Sequence, residues 1–154
     1  MKKQITILTL VIATILLVAS NFYLSESNFS VKNANLCDFQ QSECTKVSAD
    51  LEIKLSTEPK VVKAESEIDF ELQIKSLKPV KITSAWLEGK DMFMGKIPLF
   101  FNPSDISATN LPITVTAQTM IGACTEDTMV WIMNIALEIE GEARLIQFYF
   151  ESER

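Results

Sequence analysis

The feature that most constrains the fold of this chain is an alternation of apolar and polar residues with a period of two. In the longest run every second residue is apolar: Met129, Trp131, Met133, Ile135, Leu137 and Ile139. Shorter alternating runs lie at 51–55, 68–74, 80–86 and 146–150, and residues 111–117 are rich in β-forming side chains. A period of two is that of a β-strand with one buried face. No convincing helical period follows residue 24, so the folded part of the chain is predicted to be all-β.

These runs predict an antiparallel β-sandwich of the immunoglobulin-like architecture. About seven strands at spacings of roughly 8 to 15 residues are typical of two sheets that hide one face of each strand between them. Within the run at 80–86, the alternation places Trp86 on the same face as Val80 and Ile82.

Residues 96–112 interrupt the strand pattern because they contain three prolines. Proline removes a backbone donor, so this stretch is predicted to be rich in loops or to form a sheet edge. Phe100 and Phe101 lie within it. They are either tucked into the core or form a contact surface.

The chain begins with a hydrophobic segment that has the features of an export signal. Lys2 and Lys3 precede an uncharged run at 5–24, which is long enough to cross a membrane as one hydrophobic helix. We favour a retained anchor, and cleavage at the small residues 18–20 is the alternative. In both cases the lysines stay in the cytoplasm, so everything after residue 24 is exported.

The predicted organisation therefore has three parts. Residues 1–24 form the signal anchor or signal peptide, residues 25–46 form a polar spacer with two cysteines, and residues 47–154 form the β-sandwich domain. The spacer is polar and has no periodicity, as expected between a membrane and a domain.

Three cysteines lie in the exported part, where disulfides form readily. Cys37 and Cys44 are close in sequence, and a bridge between them would tie the head of the domain. Pairing of Cys124 with either of them is the alternative, and the sequence leaves the pairing open. The thiol that remains is reactive or metal-binding if it is exposed.

Charge and composition exclude several classes of function. Residues 25–154 hold 12 of the 14 basic side chains and all 20 acidic ones, which gives this part a net charge of −8. Such a surface argues against binding to nucleic acid or to anionic lipid. Histidine is absent, which removes most general bases, most catalytic zinc sites and every Ser-His or Cys-His pair. The chain is therefore predicted not to be an enzyme.

The sulfur-containing side chains suggest a different chemistry. Apart from the initiator, all methionines fall in one window that also contains Cys124: Met92, Met94, Met120, Met129 and Met133. Thioethers and thiolates without imidazole select cuprous copper, because polarizable sulfur matches a polarizable ion of low charge. In an extended backbone the M-x-M spacing of Met92 and Met94 places both sulfurs on one side.

Packing is the competing explanation for each methionine. Met129 and Met133 share a strand face with Trp131, so we assign these two to the core. Met92 and Met94 lie in a turn-like setting where packing gives less reason for a pair. The candidate metal site therefore consists of four residues: Met92, Met94, Met120 and Cys124.

Three pieces of sequence behind the anchor carry a resemblance to known proteins. They are residues 88–95 (EGKDMFMG), Cys124 followed by residues 129–131 (MVW), and residues 148–150 (FYF). With these pieces in this order, the chain resembles small immunoglobulin-like envelope proteins of Gram-negative bacteria that are exported or membrane-anchored. These proteins have a cupredoxin-like sandwich, and some of them are linked to copper delivery and cytochrome oxidase assembly. The resemblance implies a place on the periplasmic side of the inner membrane or in the periplasm.

Two functions of different classes follow. In the first, the chain binds Cu(I) through Met92 and Met94, with Met120 or Cys124 completing the coordination, and passes the ion to an envelope protein of an oxidase assembly or copper pathway. In the second, it is a non-catalytic structural or interaction module without a metal. That module would use a sheet edge or the Phe100-Phe101 loop to contact another envelope protein.

Overall fold

A computed structural model of the chain describes residues 36–48, 50–101, 105–107, 109–123 and 125–154. The predicted anchor at 5–24 and the first half of the predicted spacer, 25–35, lie outside the described residues, and so does Cys124. No helix able to span a membrane occurs in the described part of the chain.

The described residues contain strands and no helix. Their ten strands are β1 (Leu36–Cys37), β2 (Cys44–Ser48), β3 (Leu51–Glu58), β4 (Glu67–Ser76), β5 (Val80–Gly89), β6 (Lys96–Leu99), β7 (Asp105–Ile106), β8 (Thr109–Met120), β9 (Thr128–Ile139) and β10 (Glu142–Glu153).

Two sheets are built from these strands. The first sheet has the order β1-β10-β9-β5-β6, with β7 also paired to β5, and the second has the order β2-β3-β4-β8. The β1–β10 pair is parallel and the other pairs are antiparallel. Strands β3-β4-β8 and β10-β9-β5-β6 follow the A-B-E and G-F-C-C′ order of immunoglobulin-like sandwiches. The prediction of an all-β sandwich is confirmed.

The core lies between the inner faces of the two sheets. Its largest fully buried side chains come from both sheets and from the loop after β8: Trp131, Phe70, Phe148, Phe150, Ile53, Leu55, Ile68, Leu72, Ile74, Leu87, Ile121 and Met133. Met129 is 9% exposed and also belongs to this core. The assignment of Met129 and Met133 to the core is therefore confirmed.

Two short strands lie within the residues that the sequence assigns to the spacer. They are β1 and the first part of β2. Together with β6 and β7, these strands are two to five residues long, too short to show an alternation. The predicted disulfide between Cys37 and Cys44 is confirmed, with Cα atoms 5.5 Å apart. It links β1 of the first sheet to the start of β2 in the second.

The predicted orientation of Trp86 is wrong. The pairing of β5 with β9 shifts its register between Ile82 and Ser84, as at a β-bulge. A bulge adds one residue to a strand and so reverses the faces of the residues beyond it. Ala85 and Leu87 consequently point into the core, and Trp86 lies on the outer face, where its indole Nε1 donates to Glu88.

Phe100 and Phe101 take opposite environments. Phe101 is buried in the core, whereas Phe100 is 83% exposed. Burial in the core therefore applies to Phe101, and a contact role for the exposed Phe100 stays a prediction.

A cluster of charges joins the two sheets at the end of the sandwich where β2 meets β3. Arg144 of β10 donates from Nη1 to Oδ1 of Asp50 at 3.0 Å and from Nη2 to Oδ2 at 3.5 Å. Lys78 lies 4.0 Å from Asp50 and also pairs with Glu140. The hydrogen bond from Arg144 lowers the pKa of Asp50, and the hydrogen bond to Glu140 raises the pKa of Lys78.

We predict that the Asp50–Arg144 pair stabilises the fold at neutral pH and ceases to do so in acid. The pKa of Asp50 is lowered in the folded chain from its ordinary value of 3.8, so its contribution is present above that value and is lost as the pH falls through the lower folded value. Urea unfolding of D50N, R144Q and the double variant should give a favourable coupling free energy at neutral pH. A coupling of the same size well below the folded pKa would contradict this.

Candidate metal centre at the methionine end

Two loops that carry the predicted metal ligands lie beside the start of β9. The first loop, 90–95, follows β5, and Lys90 N donates to Val130 O at 2.9 Å. The second loop, 121–127, follows β8 and leads directly into β9. We call these two loops, together with Met129, the methionine end of the sandwich.

The loop 121–127 is fixed near both of its ends by backbone hydrogen bonds. Glu65 N donates to Ile121 O at 2.9 Å, and Arg154 N donates to Asp127 O at 3.0 Å. Ile121 is fully buried. The described residues on both sides of position 124 are thus held to the rest of the sandwich.

Gly89 allows the loop 90–95 to fold back closely on the end of β5. A Cβ atom at this position would collide with the backbone carbonyl oxygen of Met92 and with the methyl group of Met129. Met129 therefore packs under the loop that carries Met92, although the sequence assigns it only to the core. Sequence reasoning missed Gly89, and the available signal was a glycine at the end of a strand just before the M-x-M pair.

The two loops of the methionine end meet at Met94. Its methyl carbon lies 4.0 Å from the position that a Cβ atom on Gly122 would take, which is van der Waals distance. Met94 is half-buried against the core, Met92 is 39% exposed and Phe93 between them is 94% exposed. Phe93 thus stands in solvent at the tip of the loop, while Met94 is held against the second loop.

Met120 has a different environment. It pairs with Glu67 of β4 and lies on the outer face of the second sheet, with 58% of its surface exposed. The structure therefore brings the loop of Met92 and Met94 to the loop around position 124 and places Met120 on an outer face beside it. Cys124 itself lies outside the described residues, and the four-residue site stays a prediction.

The two loops carry both thioethers and carboxylates, the latter from Asp91, Glu126 and Asp127. In the described part of the chain, no three Cys, Asp or Glu side chains come together in a way that could hold a metal. A recess lined by Gly122, Asp127, Met129 and neighbouring residues has a volume of about 10 Å³. Such a recess has room for about one water molecule and none for an organic ligand.

Comparisons with known proteins identify no family. No protein-family model matches the chain, and no curated protein matches its sequence. The GAE domain of GGA2p from Saccharomyces cerevisiae covers 71% of this chain and 94% of its own, with 12% identity and a TM-score of 0.42. The structural genomics target SoR45 covers 70% and 89%, with 12% identity and a TM-score of 0.47. The seventh PapD-like domain of human CEP192 covers 69% and 85%, with 14% identity and a TM-score of 0.35. Likenesses at this level assign no function to the chain.

We predict that Gly89→Ala destabilises the domain and that Gly122→Ala does not. The first substitution forces a backbone carbonyl and a buried methyl group apart, which should lower the free energy of unfolding by about 1–3 kcal/mol. The second meets only the methyl group of Met94 at an ordinary contact distance, so a change within about 1 kcal/mol is expected. Denaturant unfolding of both variants measures this, and equal losses would show that the loop 90–95 is not tightly packed on β5.

Proposed function

We propose that this chain is an exported, non-catalytic binding protein, anchored on the periplasmic side of the bacterial inner membrane through residues 5–24, and that it binds Cu(I) at the methionine end. The observation that carries the proposal is that the methyl group of Met94 lies 4.0 Å from the position that a Cβ atom on Gly122 would take, so the two loops are close neighbours. One of these loops carries the two thioethers, and the other contains the remaining cysteine.

The chemistry of the donors supports copper in the cuprous state. Met92 and Met94 are neutral and polarizable, and the chain has no histidine to favour cupric copper or zinc. Met92 is 39% exposed and Met94 is half-buried. An ion can thus reach the first thioether from solvent and be held against the domain by the second.

The third donor is chosen by position. Gly122 lies near Met94 and is two residues from both Met120 and Cys124 in the sequence. Met120 lies on the outer face of the second sheet, opposite Glu67. Because Met120 is committed to that face, we propose Cys124 as the third donor. Cys37 and Cys44 are bonded to each other, so they do not compete for Cys124.

The exposed ring of Phe93 suggests how copper is passed on. It stands between the two thioethers in the sequence and is 94% exposed. An apolar ring in solvent beside a binding site is a suitable contact for another protein. The proposed partner is an envelope protein of an oxidase assembly or copper pathway, with metal delivery or copper tolerance as the role.

We predict that M92L/M94L binds Cu(I) at least about tenfold more weakly than the unaltered chain, since changes that only reorient a metal ligand already cost about 10–100-fold. Leucine keeps the volume of methionine, so the fold should be retained. The full-length chain in detergent is titrated with Cu(I) against a chromophoric chelator under reducing conditions. Phe93→Ala, which keeps both thioethers, is the matched control and should bind normally. Unchanged affinity in M92L/M94L would refute the site.

We further predict that Cys124→Ser weakens Cu(I) binding more than Met120→Leu. The reason is that Met120 lies on the outer face of the second sheet, opposite Glu67, with 58% of its surface exposed. The same competition titration measures both variants, and near-UV circular dichroism reports whether each is folded. A larger loss in Met120→Leu would assign the third donor to the outer face.

A second function, an interaction module without a metal, is favoured by one observation. Phe100 is 83% exposed and lies directly after β6, next to the buried Phe101. Such a ring is available for contact with another protein, since aromatic side chains are enriched in interfaces. If the unaltered full-length chain binds no Cu(I) above background, this function replaces the first.

A further inference from the structure

Strand β8 lies at one edge of the second sheet. It pairs with β4 on one side, and none of the described strands pairs with its other side. From Ile113 to Met120 the pairing with β4 is regular, and the register shift lies beyond Ile113, toward Thr109. Such an edge presents a row of backbone donors and acceptors that another strand can use.

The side chains of β8 offer little protection against such pairing. The strand has twelve residues and no charged side chain, whereas every other described strand of eight or more residues carries at least one. The edges formed by β2 and β6 are only five and four residues long and carry Lys46 and Lys96. Charge and shortness are the usual devices that prevent pairing at an edge. In β8 the remaining device of this kind is Pro112, which lies outside the regular segment 113–120.

The side chains of β8 are also suited to pairing with the same strand of a second copy. Thr114, Thr116 and Gln118 are exposed on the outer face, while Val115 and Ala117 are buried on the inner face. In an antiparallel pair of two such strands, threonine and glutamine face threonine and glutamine, and these cross-strand pairs form favourable hydrogen bonds. A contact of a surface with itself about a twofold axis is the commonest form of oligomer.

We propose that β8 pairs antiparallel with β8 of a second copy of this chain, which joins the two second sheets into one continuous sheet. This inference is independent of copper binding.

Charge does not oppose a second copy in this orientation. The outer face of β4 is acidic near Met120, where Glu67, Asp69 and Glu71 lie, and carries Gln73 and Lys75 toward its other end. Antiparallel pairing sets the acidic end of one copy against the end of the other copy that carries Lys75. The two β4 strands would be about 14 Å apart, at three strand spacings. This exceeds the Debye length of about 8 Å at physiological ionic strength, so repulsion between the acidic columns is weak.

The experiment measures self-association of the full-length chain in density-matched detergent by sedimentation equilibrium. We expect a dimer whose dissociation constant rises about tenfold or more in T116K/Q118K, because like charges then face each other across the new strand pair. Ser56→Lys, on the outer face of the central strand β3, is the matched control and should leave the dissociation constant unchanged.

A second measurement locates the contact. Thr116→Cys in a Cys124→Ser background should form a crosslinked dimer under mild oxidation, whereas Ser56→Cys in the same background should not. A monomer at every concentration would overturn the proposal, as expected if the edge accepts a strand from a different protein. A dimer that persists unchanged in T116K/Q118K would also overturn the proposal. The same holds for a dimer that crosslinks no better at position 116 than at position 56.

Discussion

The rest of the structure depends on the burial of alternate side chains between two sheets. Phe70 of the second sheet contacts Phe150 of the first, with ring centroids 5.5 Å apart. Trp131 is fully buried, and its indole Nε1 donates to the hydroxyl of Ser152 at 3.0 Å. A slip of one residue in any long strand would move its whole apolar set into water. Burial therefore fixes the register, and the register fixes where each loop begins and ends.

The methionine end is a product of that register. Because β5 and β9 are neighbours and run antiparallel, the end of one lies beside the start of the other, and the loops that follow β5 and precede β9 must meet. The proximity of Met94 to Gly122 and the packing of Met129 under the loop 90–95 follow from this arrangement. Flexible thioethers are thus carried on loops whose origins are rigid, which is how a small sandwich can support a binding site.

The sequence predicts the long strands and the types of candidate ligand, but not their spatial relations. Strands such as β9 are predictable because twelve residues show the alternation clearly, whereas β1 and β7 are held by pairing with distant parts of the chain. The bulge in β5 changed the face of Trp86, and no local pattern marks it. Likewise, the place of Met120 on an outer face depends on its partner in β4, 53 residues earlier in the sequence.

The disulfide has a mechanical consequence for a chain that is held at its N-terminal side. Tension applied ahead of Leu36 reaches β1, which is bonded to β10 of the first sheet, and crosses the Cys37–Cys44 bridge to β2 of the second. The load is therefore shared by both sheets, and residues 38–43 cannot be drawn out as slack. When this protein is pulled from its N-terminal side, strand pairs must separate before residues 38–43 can extend.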